Sequence, residues 1–209
     1  MSPDAAELHG SCAPQYDDLC QAMECHAQDV LFGLCFEYLS PGQKLLDLGI
    51  GTGLSAALFH KAGLEVYGAD FSPDMLRECE KKGLARELKV CDIGSGDWPY
   101  EAGQFHHVTA CGLFHFIGDL DRVFSEARRV MVPGGTFSLT VKSVEGGKEV
   151  YVDPGSGIAV YCHDQAYIEE LAGKYGFTPL KRLAFYMYDD LDKKKRSLFA
   201  AYVVKALAP

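Results

Sequence analysis

The segment KLLDLGIGTGLSAALF, Lys44 to Phe59, constrains this chain more than any other. An apolar run gives way to glycine at Gly49, Gly51 and Gly53, and then to residues with helical periodicity. Glycine loses more backbone entropy on folding than any other residue. Three set this close mark a backbone that turns sharply or lies against something. A strand that hands over to a helix through such a loop presents amide groups at the helix start, the usual seat of a nucleotide-like ligand. The spacing narrows the choice. A dinucleotide fingerprint, G-x-G-x-x-G, needs glycine where Leu54 stands, and no Gly-Lys-Ser/Thr follows as in a phosphate loop. The pattern present is D-x-G-x-G-x-G, from Asp47 to Gly53.

The chain around this loop alternates between two periodicities. KLLDL, EVYGAD, ELKVCD, HHVTACG and TFSLTV are short and rich in apolar or β-branched residues. Between them lie LSAALFHKAG, SPDMLRECEKKG and DLDRVFSEARRVMVPGG, with apolar positions at helical spacing and glycine near each end. Ser72 and Pro73 read as an N-cap and a first-turn proline. This alternation predicts an α/β domain, a parallel sheet with helices on both faces. Past Gly176, TPLKRLAFYMY and SLFAAYVVKA predict a terminal antiparallel hairpin.

With 209 residues, nearly half of them apolar, the chain suits one generous domain, 1–209. A formal net charge of −9 argues against nucleic acid as the main partner. No stretch approaches the ~18 unbroken apolar residues of a membrane helix. The start, MSPDAAELHG, lacks a basic patch followed by an apolar run, so a cytoplasmic location is expected. Eight cysteines are present without a CxxC pair. His9, Cys12, Cys20, Cys25 and His26 match no zinc-module spacing, so reduced thiols and no metal are expected.

Four blocks taken together, LLDLGIGTGLSA, VYGADFSPDML, KVCDIGSGDWPY and LFHFIGDLDRVFSEARRVMVPGGTFSLTV, resemble the class I S-adenosylmethionine (SAM)-dependent methyltransferases, in particular their small type 11 subgroup. They stand in that family's order over residues 44–141. The resemblance implies a Rossmann-like fold, with a seven-stranded, mostly parallel sheet whose last strand is antiparallel. It implies SAM as cofactor and S-adenosylhomocysteine (SAH) as product. Gly49, Gly51 and Gly53 would let the backbone approach the methionine portion, and Asp47 would bind its ammonium. Asp70 would accept from both ribose hydroxyls, as suits an acceptor-only group. Phe71 would lie against the adenine with Met75 nearby, and Asp92 with Ile93 would meet the adenine amine. For Asp70 and Asp92 the competing reading is a turn or capping acid.

Methyl transfer from a sulfonium asks mainly for in-line positioning. A base is needed only where the acceptor must lose a proton. His115, just past the fourth strand, is the candidate base, or else a histidine satisfied by neighbouring backbone. Cys111 is expected to line the cofactor cavity. Tyr16 is a candidate either to reach the SAM carboxylate or to pack as an aromatic staple. Acceptor selection falls to the segments outside the four blocks. These are a helical cap over 1–40, a substrate-side hairpin over 143–162 around the turn DPGSG, and a terminal helix and hairpin over 163–209. Tyr151, Tyr161 and His163 are the substrate-facing candidates. The run Lys193–Arg196 follows DDLD and reads as a solvated loop. Relatives carry Asp where this chain has His106 and His107 at the fourth strand. An Asn-Pro-Pro-Tyr motif of nucleic-acid methylation is absent around Cys111 to Phe114. The expected function is transfer of a methyl group from SAM to a small-molecule acceptor, by a monomer or homodimer. The alternative is a non-catalytic SAM- or SAH-binding regulatory or scaffold protein.

Overall fold

A computed structural model describes residues 11–144 and 149–208. His9, weighed above as a metal ligand, lies outside them. Two short helices lead, α1 (Tyr16–Ala22) and α2 (Ala27–Cys35). The alternating units follow as β1 (Lys44–Leu48), α3 (Leu54–Lys61), β2 (Glu65–Asp70), α4 (Pro73–Lys82) and β3 (Glu87–Val90). Next come β4 (Phe105–Ala110), α5 (Asp121–Val130) and β5 (Met131–Lys142). A separate hairpin, β6 (Glu149–Val152) and β7 (Ala159–Cys162), precedes α6 (Gln165–Lys174), β8 (Phe177–Tyr188) and β9 (Arg196–Ala206).

Seven strands form one sheet in the order β3-β2-β1-β4-β5-β9-β8. The pairs from β3 through to β5 are parallel, whereas β9 runs antiparallel to both β5 and β8. β9 is therefore the one reversed strand of the sheet, as expected. Successive side chains of a strand point to opposite faces. Leu45 joins a cluster with Phe59, Leu76 and Cys79, while its neighbour Leu46 joins Phe105, Phe124, Phe137 and Leu171. The first cluster is covered by α2, α3 and α4, the second by α5 and α6. Both faces are thus buried, which explains why β1 reads as a continuous apolar run. Ser72 caps α4 by accepting from the Met75 amide, with Pro73 in the first turn.

One segment departs from its periodicity. The helical pattern through VMVPGG predicts a longer α5, yet the helix stops at Val130, and Met131 already pairs with Phe105 in the sheet. The pairing slips at that point, and a Cβ on Gly135 would stand 2.4 Å from the His106 carbonyl oxygen. Close backbone approach thus fixes the glycine and draws the segment into the sheet.

His106 and His107 hold the amino-terminal edge of the sheet. His106 Nδ1 accepts from the Lys44 amide at 3.2 Å. His107 joins Thr136 Oγ1 at 2.8 Å and Gln43 Oε1 at 2.7 Å. These bonds tie β1, β4 and β5 together at the end opposite the glycine loop.

Candidate functional site

The loop after β1 folds back on β2. Gly49 and Ile50 both donate to the Ala69 carbonyl, at 2.8 and 3.1 Å. Asp70, at the end of β2, accepts from the Gly51 amide through Oδ2 (2.9 Å) and from the Ser72 amide through Oδ1 (2.8 Å). Burial raises its pKa, against the pull of those amides. Each carboxylate oxygen has a second lone pair, so the group retains acceptor capacity. Gly51 has φ +54, and a Cβ there would meet nothing closer than the Gly49 carbonyl oxygen at 3.9 Å. The space beside Gly51 is open. Gly53 is the reverse case, since a Cβ would stand 3.0 Å from Cys79 Sγ and Leu84 Cδ1. A left-handed φ of +90 and this packing together account for Gly53.

Asp47 is 1% exposed, and its Oδ2 has no hydrogen-bond partner among the described residues. Burial, and then the charge of Asp70, push its pKa well up. A buried carboxylate in this state lacks a cation or donor, and a ligand ammonium would supply one. The loop, Asp47 and Asp70 together fit the amino-acid and ribose portions of SAM.

Asp92 lies just past β3. It accepts from the Gly94 amide and the Ser95 hydroxyl, both at 3.0 Å, the turn role that competed with adenine contact in the sequence. The Ile93 carbonyl is taken by the Trp98 indole at 3.1 Å. Met75 and Ile93 are buried and Phe71 is half-buried. Phe71 follows β2, Met75 lies in the first turn of α4, and Asp92 and Ile93 follow β3; none of the four lines the cavity described next.

That cavity, of about 460 Å³, lies over the ends of β1, β4 and β5. Its floor includes Gly49, Gly51, Cys111 and His115. One wall comes from the leading helices through Tyr16, Cys20, Met23 and Cys25, and the hairpin contributes Tyr151, Asp153, Ile158 and Val160. The far wall is Lys142, Met187, Tyr188, Asp189, Lys195 and Phe199. His115 sits in a short 3-10 turn with its ring 4.0 Å from that of Phe116 and 6.2 Å from that of Phe199. Burial raises the Cys111 thiol, which stays protonated. Tyr16 is likewise pushed up, by burial and then by the neighbouring Cys20 and Cys25. Among the described residues no group of three or more His, Cys, Asp or Glu could hold a metal ion.

Two expected acceptor-facing residues lie elsewhere. Tyr161 packs on Gly118, where a Cβ would stand 2.5 Å from its ring, and it does not line the cavity. His163 is buried, with Nε2 3.1 Å from the Phe114 carbonyl and 3.0 Å from that of Ile117. Both partners are acceptors, so Nε2 carries the hydrogen and donates. His163 thereby holds the turn that bears His115, so the two histidines divide support from exposure. The run Lys193–Arg196 is the exposed turn between β8 and β9, as expected, and it also borders the cavity. Lys193 pairs with Glu24 after α1, and Lys195 reaches the cavity beside Asp189, so the β8–β9 turn forms part of the wall. Sequence reading passed over Lys142, Met187 and Asp189. The available signal was strand length, because a hairpin of strands this long reaches past the sheet edge.

Asp17 was also passed over. Its Oδ1 accepts from Thr52 Oγ1 in the glycine loop at 2.5 Å, and its Oδ2 pairs with Lys82 of α4. The leading helix is thus tied to the cofactor loop through one carboxylate.

Residues 46–139 match a family model described as a methyltransferase domain, of the type 11 kind. A demethylmenaquinone methyltransferase of Thermus thermophilus is 38% identical over 97 residues, which cover 44% of each chain. Human methyltransferase-like protein 27 is 30% identical over 149 residues, 68% of this chain and 60% of that protein. The chain thus spans about half the length of these curated relatives. Among solved structures, Burkholderia thailandensis 1,6-didemethyltoxoflavin-N1-methyltransferase with bound SAH aligns at TM-score 0.70 and 18% identity, covering 98% of this chain and 89% of that one. A SAM-dependent methyltransferase of Methanosarcina mazei aligns at TM-score 0.71 and 18% identity, covering 83% and 97%. The fold is that of the Rossmann-like methyltransferases. Residues 46–139 thus form a methyltransferase domain of the type 11 kind, in a fold shared with SAM-dependent methyltransferases.

Proposed function

We propose that the protein transfers a methyl group from SAM to a small-molecule acceptor held in the cavity over β1, β4 and β5. The observation that carries this reading is the cavity itself. At about 460 Å³ it is of ligand size, it opens from the glycine loop, and it is walled by aromatic and aliphatic side chains with few charges. SAM supplies an electrophilic methyl, so the protein's own work is binding, orientation and exclusion of water. In this reading Asp47 takes the ammonium, the Gly49–Gly53 backbone lies along the methionine portion, and Asp70 receives the ribose hydroxyls. Phe71, Met75, Asp92 and Ile93 border the adenine. Tyr16 closes the carboxylate end, and Cys111 forms the floor. His115 takes the proton released by an acceptor that must lose one, with His163 fixing its turn. Tyr151 faces the acceptor from the hairpin.

The curated relatives do not settle the acceptor. Their names specify demethylmenaquinone, sarcosine or dimethylglycine, and an rRNA guanine. The chain's net charge of −9 and the size of the cavity favour a small molecule over RNA. Among the described residues no helix is long and apolar enough to cross a membrane. The test incubates the protein with methyl-labelled SAM and separated metabolite, protein and RNA pools. Label appearing in the metabolite fraction is the expected result. Label confined to protein or RNA, or absent from all three pools while SAM binds, overturns the reading.

A further inference from the structure

Lys142 is the most deeply set cation of the cavity wall. It ends β5, is 9% exposed, and its Nζ lies 3.2 Å from Asp189 Oδ1. β1, β4 and β5 are consecutive in the sheet, so at one strand spacing each Lys142 stands about 10 Å across from the glycine loop. That offset puts it beyond the methionine portion of SAM, on the acceptor side. Around it are rings. Tyr151 and Phe199 have centroids 5.4 and 5.8 Å from its Nζ, and His115 borders the same Phe199 ring. Burial alone would lower its pKa, but the Tyr151 hydroxyl and Asp189 hold it above the ordinary lysine value.

The charges nearby are already committed. Asp189 is shared between Lys142, Lys195 at 3.8 Å and the Ser197 hydroxyl at 2.7 Å. Asp153 caps its own turn, with Oδ2 accepting from the Ser156 amide and hydroxyl. An ammonium has three donors. Asp189 accounts for one of the three at Lys142, and the cavity lies against the same side chain. A chain with net charge −9 does not draw anions by its overall field, so a buried lysine in an aromatic cavity must act locally.

Resting on the proposed methyl transfer to a small molecule, we infer that Lys142 reads the acceptor's charge: the acceptor is a planar, largely apolar ring carrying an oxyanion, a carboxylate or an ionised hydroxyl, which pairs with Lys142 while the ring lies along Phe199 and Tyr151. Charge-assisted bonds exceed neutral ones, which sets the expected size of the discrimination at about tenfold.

The experiment titrates the SAH-loaded protein with 2-naphthoate and with its neutral isostere 2-naphthamide, by calorimetry. The parent should bind naphthoate at least about tenfold tighter than naphthamide. Lys142→Met should erase that preference with SAH affinity unchanged, and Lys142→Arg should keep it. Asp189→Asn removes the resident counter-ion and should tighten naphthoate but not naphthamide. Equal affinity for the two probes in the parent, or a preference that survives in Lys142→Met, overturns the inference. So does an Asp189→Asn variant that weakens naphthoate. SAH binding is read in the same titrations, so failure of the cofactor assignment registers separately from failure at Lys142.

Discussion

The two halves of the site are built differently. The proposed cofactor rim is made by residues close in the chain and fastened to one another by backbone bonds. Asp70 takes the Gly51 and Ser72 amides, and the glycine loop takes the Ala69 carbonyl. The proposed acceptor wall gathers segments far apart in sequence, including Tyr16, Lys142, Tyr151 and Asp189. A rim made of backbone is rigid and tolerates few changes. A wall made of side chains can be rebuilt for another acceptor without disturbing the sheet.

The largest expected effect falls on the rim. Asp70→Ala removes an acceptor that is 8% exposed and holds two backbone amides as well as the proposed ribose contacts. Hydrogen bonds to a charged group contribute about 1.5–3 kcal/mol each, so SAH binding should weaken by about a hundredfold or more. An Asp70→Ala titration within about threefold of the parent would place the ribose elsewhere and break the comparison.

The opposite edge of the sheet supplies a control. His107 is 4% exposed, and burial, then the neighbouring His106, depress its pKa to about 4 from the ordinary 6.5. Because the folded value is the lower one, the unfolded chain binds the proton first. Stability is fully present above pH 6.5 and falls as pH drops towards 4. The loss amounts to about 3 kcal/mol, since one pKa unit is about 1.4 kcal/mol. Thermal melts between pH 7 and 4.5 should show that decline, and His107→Gln should flatten it. A decline of the same steepness in the variant would assign it to other groups.

The glycines sharpen the contrast at smaller scale. Gly53→Ala adds overpacking against Cys79 and Leu84, 3.0 Å from the new Cβ, to the strain of a left-handed φ of +90, so it should lower stability by about 2–4 kcal/mol, read as a fall in Tm. Gly51→Ala meets open space and incurs only the left-handed backbone strain of about 1–2 kcal/mol. It should weaken SAH binding more than it lowers Tm. If the two variants exchange these signatures, the open space at Gly51 is not the cofactor's.

The same division separates what could be read in the sequence from what could not. The strand–glycine–helix unit and the terminal hairpin follow from local periodicity and spacing, and local pattern survives in a linear text; the roles expected of Asp70 and Asp92 come from the family resemblance. Lys142 and Asp189 carry no such pattern. Their pairing depends on β5 and the β8–β9 turn meeting across 47 residues of chain. Tyr161 and His163 were misread for a related reason. In β7 and the residue just beyond it, alternation says that neighbours face opposite ways but not which way is the cavity. The structure turns Tyr161 towards Gly118 and His163 towards the turn of His115. Asp17 escaped because its two partners, Thr52 and Lys82, belong to separate units.

The smallest expected effect tests whether rim and wall are coupled, and Asp17 is where they meet. Its carboxylate joins α1 to Thr52 in the glycine loop and to Lys82 of α4. A helix of seven residues has little stability of its own, so its order depends on such ties. If α1 and the β6–β7 hairpin close over bound cofactor, both should gain hydrogen-exchange protection when SAH is added. In the parent the gain over α1 should be modest, because Asp17 already orders the helix. In Asp17→Asn one charge is lost, the tie weakens by about 0.5–1 kcal/mol for a partly exposed pair, and the helix should start looser. SAH must then do more of the ordering, so the protection gain over 16–22 should be larger in the variant while its SAH affinity falls by no more than about fivefold. The β6–β7 hairpin lies on the other wall and should respond equally in both proteins. Protection over 16–22 that ignores SAH in parent and variant alike would make α1 a fixed part of the rim, and the boundary between the two halves would then run through the hairpin and the β8–β9 turn alone.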